Sequence, residues 1–132
     1  MDTRTDWDAA LRHEDARVAR YGRPAAVLIV DVQPAQPGLE DRFATRVGSV
    51  IRDHARETDR IARVSPTRFH VLLPETSEPE AAVLAERIRA TCATWGSTGP
   101  GLPLRITTET ATPSGGGTLV EALAAAQARL LA

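Results

Sequence analysis

An α+β sandwich, with helices packed on a mostly antiparallel sheet, is the fold class this sequence predicts. Three observations carry it. Apolar residues recur at helical spacing in four separate segments. A short unbroken apolar run at 25–30 has the character of a strand covered on both faces. Two further strand-like stretches, 60–64 and 69–73, are separated only by a turn, as in a β-hairpin. At 132 residues the chain suffices for one core rather than two, so 1–132 is read as a single domain without internal repeats.

The elements follow in order. Trp7, Leu11, Ala16, Val18 and Tyr21 mark an amphipathic helix that ends near Gly22. The apolar run 25–30 forms a buried strand that ends at Asp31, and Pro34, Pro37 and Gly38 then force a loop. Phe43, Val47, Val50 and Ile51 give the second helix, within 39–56. The hairpin turns at Ser65-Pro66-Thr67. A third helix spans 78–95 with Ala82, Leu84, Ala85 and Ile88 facing inward, and 96–103 is a loop. The stretch 104–110 has little apolar content, which suits a strand near a sheet edge. The glycines at 115–117 read as a turn, and 119–131 as an Ala-rich last helix. The order α, β, α, β, β, α, β, α lies close to the ferredoxin-like or palm-type arrangement.

Composition narrows the function classes. With a net charge of −1, nothing points to a nucleic-acid partner. Only five residues are Phe, Trp or Tyr, so the core must be built from Ala, Val, Leu and Ile. The lone Cys92 cannot form an internal disulfide, which suits a reducing compartment. No apolar run reaches membrane-spanning length and Met1 leads into polar residues, so a cytoplasmic protein without membrane insertion is expected.

Several segments together resemble one family. The stretch 14–24 (EDARVARYGRP) looks like the first helix and turn of GGDEF domains, which in active form condense two GTP molecules into cyclic di-GMP. The stretch 26–31 is similar to that family's first strand, which ends in a metal-binding aspartate, here Asp31. The stretch 56–69, RETDRIARVSPTRF, matches the pattern RxxDxxARxGGDEF, while LLPET at 72–76, AERIR at 85–89 and the last helix match later elements. The resemblance covers about 7–131 and implies a degenerate GGDEF domain of the nucleotidyl-cyclase palm-like type.

The departures from that pattern bear on function. Ser65-Pro66-Thr67-Arg68-Phe69 stands where the family has Gly-Gly-Asp/Glu-Glu-Phe. Pro66 removes an amide donor and stiffens a turn whose glycines approach the nucleotide phosphates in the family. Thr67 and Arg68 replace the carboxylates, so Asp31 alone would hold Mg²⁺ poorly and no metal cofactor is expected. The loop after Asp31 is short and lacks the guanine-recognition residues, and the chain stops before the basic residues that follow the last helix in active members. The expectation is an inactive cyclase.

What the resemblance leaves standing is an outer product-binding site. Arg56 and Asp59 occupy the RxxD positions and Arg87 the place of a third participant, which implies a cyclic di-GMP receptor binding the ligand singly or as a stacked pair, with ligand-linked dimerisation. Arginine can donate twice to guanine, and a carboxylate can accept from guanine N1 and N2. Beside this stands a nucleotide-independent regulatory module that binds a protein partner, with Arg56 and Asp59 as an ordinary surface pair and Arg87 facing solvent. Asp31 also reads as a strand-end residue capping the next loop, and Arg68 as a solvated hairpin charge. His13, His54 and His70 show no metal spacing, and Cys92 reads as a small core residue.

Overall fold

The computed structural model describes residues 1–34, 40–94 and 104–131. Its eight elements follow the predicted order: α1 (Arg4–Tyr21), β1 (Ala25–Pro34), α2 (Glu40–His54), β2 (Arg60–Ser65), β3 (Arg68–Pro74), α3 (Glu78–Ala93), β4 (Leu104–Ala111) and α4 (Leu119–Leu131). The strands form one antiparallel sheet in the order β2-β3-β1-β4. The apolar run of β1 therefore lies at the centre, and the weakly apolar β4 lies at an edge.

Strand alternation divides the core in two. On one face Ala26, Leu28, Val30 and Val32 pack against Phe43, Val47 and Ile51 of α2 and Ala81, Ala85 and Ile88 of α3. On the other, Ala25, Val27 and Ile29 meet Trp7 and Leu11 of α1 and Leu119, Leu123 and Ala126 of α4. Each β1 side chain in these sets is fully buried. That two-sided burial is why the strand reads as a continuous apolar run.

Local signals fix the helix ends. Thr3 caps α1 by accepting from the Asp6 backbone N–H, and Gly22 closes it in the left-handed conformation at φ 67°. Ser77 and Glu80 form a reciprocal capping box at the start of α3. Thr118 and Glu121 exchange equivalent bonds at α4, whose Leu119 N–H also donates to Asp15 of α1 at 2.6 Å.

Some expectations need correction. Ala16 and Tyr21 are exposed on α1, and the buried position after Leu11 is Glu14, paired with Arg17 at 3.2 Å. On α3 Ala85 and Ile88 face inward as expected, with Ala81 and Cys92 buried and Leu84 partly buried beside them, but Ala82 faces solvent because the buried stripe runs 81, 85, 88, 92 and leaves 82 to one side. Strand β1 does not end at Asp31 but runs on to Pro34. The Val32 N–H donates to Thr67 O at the hairpin tip, and β4 pairs along the whole extension. The segments 35–39 and 95–103, where the expected loops and Trp95 fall, lie outside the described residues.

Candidate functional site

The β2–β3 hairpin brings the signature segment beside β1. Ser65 pairs with Arg68 around Pro66 and Thr67, and the register slips by one residue at Val64, between Arg63 and Ser65. The turn is braced from within. Arg63 donates to Pro66 O at 2.6 Å, and the Thr67 N–H donates to Ser65 Oγ at 3.3 Å. The amide at 67, which an anion would need, is thus already engaged.

Arg68 lies opposite Asp31 in the β1–β3 register. Its Nε–H donates to Asp31 Oδ1 at 3.2 Å, and Gln33 Nε2 donates to Oδ2 at 3.3 Å. Both carboxylate oxygens are therefore engaged by the protein itself, and Asp31 is 7% exposed. This corrects two expectations. Asp31 is a mid-strand residue that caps no loop, and Arg68 is a mostly buried ion-pair partner rather than a solvated charge.

The RxxD residues lie at the α2–β2 connection. The Arg56 N–H donates to Asp59 Oδ2 at 2.8 Å, and the Asp59 N–H returns a bond to Arg56 O. This is a local turn closed by the aspartate. The Asp59 side chain is only 2% exposed and its Oδ1 has no hydrogen-bond partner. Burial raises its pKa, against the lowering effect of the Arg56 backbone bond and charge. Arg56 is 56% exposed. Its Nη2 donates to Pro74 O and to Thr76 Oγ1 at the start of α3, which fixes the guanidinium in place. Arg87 is exposed on α3, with no hydrogen bond or ion pair holding its side chain among the described residues. The structure joins Arg56 to Asp59 and leaves Arg87 without a bond to either.

Arg56 also lines a cleft of about 700 Å³ between α1 and the β2–β3 edge, together with His13, Arg17, Arg60 and Glu75. The charges there are mutually paired. Arg17 bridges Glu14 and Glu75, and Arg60 binds Asp2 through two bonds. Sequence reasoning did not single out this cleft, because its walls come from segments some fifty residues apart.

The comparisons with known proteins agree with the sheet order and the hairpin. The profile of the diguanylate cyclase GGDEF domain matches residues 39–111, more than half of the chain. This chain belongs to the GGDEF family. The diguanylate cyclase DosC of Escherichia coli K12 is 31% identical over 86 residues, which cover 60% of this chain and 19% of that relative, so the chain matches only a small part of the relative's length.

Solved GGDEF structures share the fold at low identity. The GGDEF domain of DgcB from Caulobacter crescentus, in complex with cyclic di-GMP, superposes with a TM-score of 0.77 at 19% identity, covering 95% of this chain and 80% of that one. The GGDEF domain of YfiN (TpbB) from Pseudomonas aeruginosa gives 0.78 at 22%, covering 96% and 86%. Diguanylate cyclase SiaD of the same species, in complex with its activator SiaC, gives 0.76 at 23%, covering 93% and 51%.

In this GGDEF domain the signature positions fall on the hairpin that carries Pro66, Thr67 and Arg68. The donor set there does not fit the Mg²⁺ that the family resemblance implies. One carboxylate is present, a guanidinium already lies against it, and the adjacent side chain is a threonine. Among the described residues, no three of His, Cys, Asp and Glu converge into a metal-binding group. Likewise, no helix among them is long and apolar enough to cross a membrane.

Proposed function

We propose that this GGDEF domain does not synthesise cyclic di-GMP but takes part in cyclic di-GMP signalling by binding. The observation that carries the non-catalytic half is the Asp31–Arg68 ion pair. Metal-assisted phosphoryl transfer needs carboxylates that are free to bind cations, so that the charge of the transition state is neutralised. Here the one retained carboxylate is neutralised by an internal cation, and Pro66 contributes no amide to a phosphate cradle. Neither Mg²⁺ nor another cofactor has a role in this reading. Incubation with GTP and Mg²⁺ or Mn²⁺ tests it: no cyclic di-GMP is expected, and accumulation of that product would overturn the proposal.

For the ligand, the reading rests on Arg56 and Arg87. Arg56 is anchored along one edge by Pro74 O and Thr76, and more than half of its side chain faces solvent. A pre-oriented guanidinium loses little entropy on binding a guanine or a phosphate. Asp59 supports this arrangement by closing the turn under Arg56 rather than by reaching for the ligand. A stacked pair of ligand molecules bridging two copies is the expected bound form.

A second reading is favoured by that same buried carboxylate. An Asp59 spent on its own turn cannot accept from guanine without swinging outward. In that case the domain is a nucleotide-independent regulatory module that docks a protein. Titration with cyclic di-GMP separates the two.

A further inference from the structure

A second cleft, of about 590 Å³, opens between the N-terminal half of α1, the α4 segment 120–127 and the β2–β3 hairpin. It shares no lining residue with the Arg56 cleft. Trp7 and His70 lie against each other in its lining. Their rings sit 5.8 Å apart at a tilt of 54°, and both residues are buried. His70 Nε2 is buried without a hydrogen-bond partner. Leu11, Leu123 and the half-exposed Val120 make the walls apolar.

The rim is cationic. Arg4, Arg12 and Arg68 line it against one acidic lining residue, Asp8, and Arg68 is itself paired with Asp31. Arg12 is exposed, with no hydrogen bond or ion pair holding its side chain, and Arg4 has only a long 3.8 Å pair with Asp8. Burial chiefly, and then the charges of Arg68 and Arg4, keep His70 neutral down to about pH 4. The neutral imidazole adds no charge of its own, and the rim arginines favour a negatively charged ligand.

We propose that this cleft binds a small aromatic acid. The flat body of the ligand lies against Trp7, Leu11 and Leu123. Its acid group is held between Arg4 and Arg12. This site is independent of the cyclic di-GMP reading, since Arg56 and Arg87 contribute nothing to it.

Titration with 1-anilinonaphthalene-8-sulfonate, an aromatic anion whose emission rises in apolar surroundings, tests the proposal on the intact protein. One saturable site is expected, with energy transfer from Trp7. Reversing both exposed rim charges, Arg4→Glu with Arg12→Glu, weakens binding by about tenfold or more at an unchanged melting temperature, as loss of charge-assisted bonds requires. Arg42→Glu, an exposed charge reversal on α2, leaves binding as in the parent. Absence of a saturable site, or equal affinity in the double variant and the parent, would overturn the assignment.

Discussion

Arg68 and Asp31 face each other across the β1–β3 ladder, Nε to Oδ1 at 3.2 Å, with the carboxylate nearly buried and a quarter of the arginine side chain exposed. The asymmetry in exposure decides which partner depends on the other. Removing the guanidinium leaves a buried carboxylate with Gln33 as its remaining donor among the described residues, whereas an arginine left alone can turn to water.

Arg68→Ala is therefore expected to cost about 2 kcal/mol, or roughly 6–10 °C in melting temperature for a domain of this size. Asp31→Ala should cost less. The double variant should be less destabilised than the sum of the two single variants, because the orphaned charge is gone. Thermal melts of the three proteins check this. An Arg68→Ala variant that melts with the parent would mean that the pair is energetically idle.

His70 gives the domain an acid-sensitive core. Its folded pKa is lowered from 6.5 to about 4, by burial and then by Arg68 and Arg4. Above pH 6.5 the imidazole is neutral in both folded and unfolded chains, and its contribution to stability is fully present. As pH falls from 6.5 towards 4 the unfolded chain takes up the proton first, so stability is lost, by an amount on the order of 3 kcal/mol at the lower end. Denaturant midpoints measured at pH 7.5, 6, 5 and 4.5 should fall accordingly, and His70→Leu should flatten that part of the profile.

The Cys92 thiol is buried in the α2–α3 core, and burial pushes its pKa up to about 11. The folded protein should consume almost no Ellman's reagent at pH 8, with one equivalent consumed after denaturation. Rapid titration of the native protein would show instead that α3 opens readily.

Much of the fold was legible because single segments carried it. The unbroken apolar run of β1 required cover on both faces, the weak apolarity of β4 placed it at an edge, and α4 occupies the residues its pattern gave. The end of β1 was misread, because the polar side chain of Asp31 hid a strand held onward by β4 and by the Thr67 carbonyl. The Arg68–Asp31 pair was not legible. It depends on the register between β1 and β3, two strands separated in sequence by α2 and β2, and neither strand's own pattern fixes that register. The cleft over His70 was hidden for a similar reason: it is set by where distant segments land. The capping boxes Ser77-Glu80 and Thr118-Glu121, in contrast, were written in the sequence as Ser/Thr-x-x-Glu and were simply not used.

The central claim is that the domain binds cyclic di-GMP without making it, and isothermal titration of cyclic di-GMP into the parent and into Arg56→Ala tests it most directly. The account predicts micromolar or tighter binding to the parent, lost or weakened by about tenfold or more in the variant, as removal of a charge-assisted guanidinium contact requires. No heat at high ligand concentration, together with an unchanged melting temperature, would contradict it and leave the protein-docking reading in its place.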